Sequence, residues 1–198
     1  MIDLKAIRTI WKENATVAEN YVFMTVLQAL NVCFYLLVYP FLIRVLGVDS
    51  YGLYVYAAAV VALFVTFVSF GYDLPAAKRI AENVGDKNAM SQILSEVTTS
   101  KLLLEVFAMI VYLGLFLLLP KMQANPILFA IVFFQTTTNI LFPQWYFQGV
   151  QRMRVVTYIQ VAFKVLSLPF LFWFLHDAQD NWVYALIVTI TAIAGGVV

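Results

Sequence analysis

The sequence predicts an all-α integral membrane protein, a six-transmembrane-helix bundle. Of its 198 residues, 63% are hydrophobic and only 12% are charged, and the mean hydropathy is +0.88; a soluble domain is nearer half apolar and a quarter charged. The apolar residues fall in long runs separated by short polar connections. At about 20 apolar residues per span, this length holds roughly six spans and leaves no room for an extramembrane catalytic domain. A soluble enzyme is excluded. The formal net charge of +1 argues against a nucleic-acid partner, which would require a concentrated basic face. Cys33 is the single cysteine and lies in an apolar run, and with one histidine there is no zinc-ligand cluster.

The runs are expected at about 21–43, 51–72, 98–119, 126–146, 155–174 and 182–198. Before them, Met1 to Glu13 puts Lys5, Arg8 and Lys12 on one helical face and Leu4, Ile7 and Trp11 on another, the pattern of a short interfacial helix. The first two runs are joined by VLGVDSYG, whose Gly, Asp and Ser are turn formers. Pro75 to Ser95 is the most hydrophilic stretch, a cytoplasmic loop with helical content. Pro120 stops the third run and Pro126 starts the fourth. The polar HDAQDN stretch separates the fifth from the sixth. Trp145, Tyr146, Trp173 and Trp182 fall at span ends, where amphipathic rings favour headgroups. Pro40, Pro143 and Pro169, in or at the ends of spans, are expected to bend them.

Basic residues set the orientation. The N-terminal segment and the connections after the second and fourth runs carry Lys5, Arg8, Lys12, Lys78, Arg79, Lys87, Arg152 and Arg154, against Arg44 and Lys121 on the other side. The positive-inside rule places the N-terminus in the cytoplasm. The sixth run ends in ITAIAGGVV without a polar flank, so the expectation is a truncated chain, one half of a transporter whose second lobe is absent.

Ionisable and polar groups inside spans are costly and usually face a protein interior. Lys164 lies near the middle of the fifth run, roughly 15 Å from either end at ~1.5 Å per residue. Gln160 precedes it by one turn. Gln135 and Asn139 are four apart in the fourth run, with Thr138 beside them, and Gln28 and Asn31 are three apart in the first. Three helices thus carry polar stripes, the pattern of a path for a polar solute, and a buried cation there favours an anionic one. The plainer alternative is interhelical hydrogen bonding, with Lys164 snorkelling or pairing with Asp73 or Glu105. Lys101 and Glu105, also four apart, read as a local ion pair, and Asp73 as a turn cap. No nucleophile with a base, no phosphate-binding Gly-rich loop and no carboxylate array is present, so neither enzymic activity nor a cofactor is expected.

Three stretches together resemble the bacterial polysaccharide flippases of the multidrug/oligosaccharidyl-lipid/polysaccharide superfamily. They are PFLIRVLGVDSYGLY (Pro40 to Tyr54), FGYDLPAAKRIAE (Phe70 to Glu82) and FPQWYFQGVQRMR (Phe142 to Arg154). The third is the most specific, because its Pro, Trp and Phe-Gln-Gly have no generic membrane explanation. The resemblance covers essentially the whole chain and implies one six-helix lobe of a two-lobed, alternating-access transporter. The implied cargo is an undecaprenyl-diphosphate-linked oligosaccharide, moved across the inner membrane for O-antigen, capsule or exopolysaccharide synthesis. Carried over to these positions, the cavity cations would be Arg44, Lys78, Arg79, Arg152, Arg154 and Lys164, with Lys164 foremost. Gln160, Gln135, Asn139, Gln28 and Asn31 would bond sugar hydroxyls, and Asp73 and Glu105 are the available ion-coupling acids. Implied partners are the lipid-linked oligosaccharide, the bilayer, polysaccharide polymerase machinery and, for a chain of this length, a second copy. A multidrug-exporter half and a non-transporting membrane assembly partner are the alternatives.

Overall fold

The computed structural model describes residues 4–197, and among them it contains helices and turns but no strand. The elements are α1 (Leu4–Ser69), α2 (Asp73–Glu82), α3 (Lys87–Leu118), α4 (Pro120–Ala124), α5 (Pro126–Phe133), α6 (Gln135–Leu141), α7 (Gln144–Gly149), α8 (Met153–Phe174), a 3-10 turn (Ala178–Asp180) and α9 (Asn181–Val197). The side chains of Lys5, Arg8, Lys12, Leu4, Ile7 and Trp11, expected to form an interfacial face, lie outside the described residues.

The 66 residues of α1 would stretch about 100 Å as a straight rod, some three times the hydrocarbon thickness. Gly47 prevents this with φ 76° and ψ 168°, backbone angles that L side chains avoid. A Cβ at Gly47 would meet nothing within 4 Å, so glycine is required there for its backbone freedom and not for space. The two arms cover the first two apolar runs. Four helical stretches are long and apolar enough to cross a membrane among the described residues: Val17–Glu82, Lys87–Leu118, Pro126–Gly149 and Met153–Phe174. The chain is an all-α membrane protein. Leu37, Leu117, Leu118 and Trp173 are all more than 70% exposed, a surface that suits lipid and would be a liability in water.

The stretch expected as one fourth span is interrupted. Pro126 starts α5 at its first turn; the helix then breaks at Phe134 and again at Phe142 and Pro143, giving α5, α6 and α7 in succession. Tyr112 of α3 holds the first of these pieces, its hydroxyl donating to the Phe129 carbonyl at 2.8 Å and its ring stacking on Phe133 at 4.3 Å. The main core joins these residues to Ala57, Val61, Phe64 and Val68 of α1 and Ala185 of α9.

A second core lies where the basic connections converge. Ala76, Ala77 and Ile80 of α2 pack with Met90, Ile93 and Val97 of α3 and Trp145 of α7. The hydrophilic stretch Pro75 to Ser95 is therefore mostly helical, with Asp86 capping α3 by accepting from the Asn88 and Ala89 amides at 3.0 and 3.1 Å. Trp145, expected among headgroups, is instead 4% exposed within this core, packed with residues of α2 and α3. Trp173 and Trp182 are exposed. A Cβ on Gly149 would lie 2.6 Å from the Ala77 carbonyl oxygen and 2.8 Å from Ile80. The Phe-Gln-Gly sequence thus ends in the one residue that lets α7 touch the α2 backbone. The chain then turns at Gln151 (φ 56°) into α8, whose first amide, Met153 N–H, donates to Asn20 Oδ1 at 3.0 Å.

Two outcomes follow from this geometry. Gly149→Ala should destabilise the protein by about 1–3 kcal/mol through overpacking against backbone, while Gln151→Gly, which relieves a positive φ, should not; thermal unfolding in detergent compares them. In the 3-10 turn, the Asp180 carboxylate accepts from the His176 and Asp177 amides at 2.9 and 3.0 Å. These bonds, His176 first, hold its pKa below the usual carboxylate value. The folded value being depressed, the turn's stabilisation is present above the unfolded pKa and disappears as pH falls through the folded one. Amide exchange at His176 and Asp177, corrected for intrinsic rates, should rise between about pH 5 and pH 2 and be fast at all pH in Asp180→Asn.

Candidate functional site

Between α1, α6, α7, α8 and α9 lies a cavity of about 310 Å³ whose wall includes Lys164 and Gln160 of α8, Asn139 of α6 and Gln144 of α7. Lys164 and Gln160 share it because they are one turn apart on the same face of α8. The Lys164 ammonium is half-buried, donates a hydrogen bond to Asn31 Oδ1 of α1, and lies 5.5 Å from the ring centres of both Phe34 and Tyr35. Asn31 in turn donates to Gln28 Oε1 at a long 3.5 Å. The amide pair of α1 and the lysine of α8 therefore form one connected set. No carboxylate stands within ion-pair distance of Lys164 among the described residues. Among the described residues its charge meets an amide dipole and two ring faces.

Gln135 goes elsewhere. Its Nε2 donates to Thr189 Oγ1 of α9 at 3.3 Å, tying α6 to α9, and it is not in the cavity wall. Arg44 is exposed three residues before the Gly47 break and is likewise outside the wall. The basic residues of the hydrophilic segments mostly have acids: Lys78 pairs with Glu82 at 3.8 Å, Arg79 with Glu96 at 2.8 Å and Arg154 with Glu19. Arg152 is exposed in the turn before α8.

Two buried ionisable groups of α3 lie outside the cavity wall. The expected local pair between Lys101 and Glu105 does not form; Lys101, 2% exposed, pairs with Asp73 of α2 at 2.6 Å. Asp73 is on the first turn of α2 and reaches across to Lys101, while Glu105 is engaged by α6. Glu105, 6% exposed, instead receives the Thr136 and Thr137 hydroxyls of α6 on Oε1 at 2.5 and 2.8 Å.

The rings were missed from sequence. Phe34 and Tyr35 follow Asn31 by three and four residues, so helical spacing could have placed them beside it. Tyr184 and Thr191 of α9 also line the cavity, and nothing in the sequence joined α9 to it.

These features define a polytopic α-helical membrane protein whose bundle holds a cavity with one cation, Lys164, among polar and aromatic side chains. The family model described as "Polysaccharide biosynthesis protein" matches residues 17–198, and the chain belongs to that family. It is 25% identical over 180 residues to a protein of Escherichia coli (strain K12) named as an O-antigen transporter, covering 91% of this chain and 43% of that protein. A protein of Shigella dysenteriae with the same name is 25% identical over 163 residues, 82% of this chain and 40% of its own length. The chain thus spans less than half the length of these relatives, which are named as transporters and not as enzymes. No solved structure matches it.

The Asp73 to Lys101 pair makes a measurable claim. Asp73→Asn leaves a buried ammonium without its counter-charge and should cost on the order of 2–3 kcal/mol, the low end for a buried pair because Asp73 is half-exposed. Adding Lys101→Met should recover much of the loss, and unfolding of the two variants in detergent is the comparison.

Proposed function

We propose that this chain supplies one lobe of a flippase that carries an undecaprenyl-diphosphate-linked oligosaccharide from the cytoplasmic to the periplasmic leaflet of a bacterial inner membrane. The observation that carries the reading is Lys164, a cation in a cavity with no acid beside it. A diphosphate would supply the missing negative charge by a charge-assisted hydrogen bond. Gln160, Asn139 and Gln144 offer donors and acceptors for sugar hydroxyls that could not enter hydrocarbon unaccompanied. Asn31, backed by Gln28, orients the ammonium, and the polyprenyl tail stays in lipid. Gln135 fastens α6 and Arg44 attends the exit. Membership of the polysaccharide biosynthesis family and relatives named as O-antigen transporters support the same cargo class. The cavity's positive charge is the wrong sign for an exporter of organic cations.

The topology we propose has six spans, with the Gly47 break dividing α1 into two and α9 as the last, and a cytoplasmic N-terminus. A second lobe completes the path, from elsewhere in the same reading frame or from another copy, and hands the product to polymerase machinery. Of the two acids open to ion coupling, Asp73 is occupied by Lys101, which leaves Glu105.

The test is complementation in a flippase-deficient strain by the reading frame that carries this chain. Lys164→Ala should lower surface glycan by about 10–100-fold, the equivalent of one charge-assisted hydrogen bond, and Lys164→Arg should retain most activity. Full activity of Lys164→Ala at equal membrane abundance would end the electrostatic reading.

A further inference from the structure

At the end of the bundle opposite α2 and α7, three connections meet around an open groove of about 470 Å³. The residues just after the Gly47 break bring Asp49 and Ser50 to it. The junction of α4 and α5 brings Asn125, and the 3-10 turn with the start of α9 brings Gln179, Asn181 and Trp182. Its volume lies in the range that small-molecule sites occupy. It has no wall residue in common with the Lys164 cavity.

The polar groups of this groove are uncommitted. Among the described residues, the side chains of Asp49, Ser50, Asn125, Gln179 and Asn181 take part in no hydrogen bond within the protein, and Asp49 is in no ion pair. Asn125 occupies the N-cap of α5, where an asparagine ordinarily accepts a hydrogen bond from its own helix, yet its side chain makes no such bond. The neighbouring acids behave differently: Asp180 holds the His176 and Asp177 amides, and Asp177 completes the capping box. The groove therefore presents one carboxylate, three carboxamides and one hydroxyl, none of them spent on the fold.

Trp182, 42% exposed, adds an indole ring to the same wall. An accessible ring beside amides and a carboxylate matches a pyranose, which has a C–H face to lie on the ring and hydroxyls at its edge that both donate and accept. Other ligand classes leave part of this set idle. A diphosphate meets Asp49 as a like charge and finds no cation in the wall. A calcium ion calls for six or more oxygens with carboxylates among them, and no metal-holding group of three acids, histidines or cysteines exists among the described residues. An organic cation would use Asp49 and the ring but offers nothing to which the amide N–H groups can donate.

We propose that this groove is a second saccharide site, one that binds a neutral pyranose ring of the glycan by stacking on Trp182 and by hydrogen bonds to Asp49, Asn125, Gln179 and Asn181. In the topology proposed above it opens on the periplasmic side, so the sugar it holds belongs to cargo that has crossed. That the sugar is the cargo's rests on the flippase reading; that the groove binds a sugar does not.

The protein, in the full reading frame that carries this chain, is placed in nanodiscs, and saturation-transfer NMR follows the binding of glucose, galactose, rhamnose and N-acetylglucosamine, with tetramethylammonium as the cationic probe. At least one neutral sugar should bind saturably. Trp182→Ala and Asp49→Asn, both at exposed positions, should each weaken that binding about tenfold, the loss expected for one stacking contact or one charge-assisted hydrogen bond. In complementation at equal membrane abundance, Trp182→Ala should lower surface glycan about fivefold, and Trp182→Phe, which keeps a ring, should retain most of it. Failure of every neutral sugar to bind, or tighter binding of tetramethylammonium, would overturn the chemistry of the site. Sugar binding unchanged in both variants would overturn its location. Binding lost in Trp182→Ala with surface glycan unchanged would overturn the assignment of the sugar to the cargo. An inert Lys164→Ala beside a groove that binds sugar would count against the electrostatic reading of the cavity alone.

Discussion

The bilayer withholds water, so every charge placed within these helices has to be answered by the protein itself. Lys101, Glu105 and Lys164 are answered in three different ways: by an acid on α2, by two hydroxyls on α6, and by an amide and two rings on α1. Each answer fixes a neighbour. Apolar faces cannot choose between a helix and lipid, because both are hydrocarbon; the polar contacts can. They place α2 and α6 against α3, and α1 against α8, and the packed clusters fill in around those pairings.

The interruptions serve the same constraint. Gly47 breaks α1 into two arms, and its conformation requires no space, only freedom at φ. Phe134 divides the fourth apolar run just before Thr136 and Thr137, the two α6 residues whose hydroxyls reach Glu105. At the other end, Gly149 lets α7 rest directly on the α2 backbone, so the segment holding Asp73 is braced from behind. Gly149 thus bears on the same helix that carries the partner of Lys101.

Helical periodicity and hydropathy made the membrane class legible, and i to i+4 spacing correctly put Gln160 with Lys164. Spacing misled where a partner on another helix was closer than the one along the chain. Lys101 and Glu105 satisfy the rule for a local ion pair, yet Lys101 pairs 28 residues away and Glu105 bonds 31 and 32 residues away. Gln135 and Asn139 sit one turn apart, but the break at Phe134 and the Thr189 hydroxyl take Gln135 to α9. Trp145 had the right position for a headgroup anchor and the wrong surroundings, since the amphipathic α2 offers it a core. Such errors share one cause: the sequence reports which face of a helix is polar, and only the packing reports what that face meets.

The two interior charges without an opposite charge have different signs and flank one short helix. Lys164 lies on the cavity side of α6 and Glu105 on the other. α6 has seven residues between interruptions at Phe134 and Phe142, so its position is set by the bonds its side chains make to α3 and α9. Thr138 and Asn139 face the cavity and Thr136 and Thr137 face Glu105, so both charges bear on the position of the same seven residues. The two contacts are carried by successive residues, and the bond from Gln135 to Thr189 of α9 fixes where the segment that carries them stands.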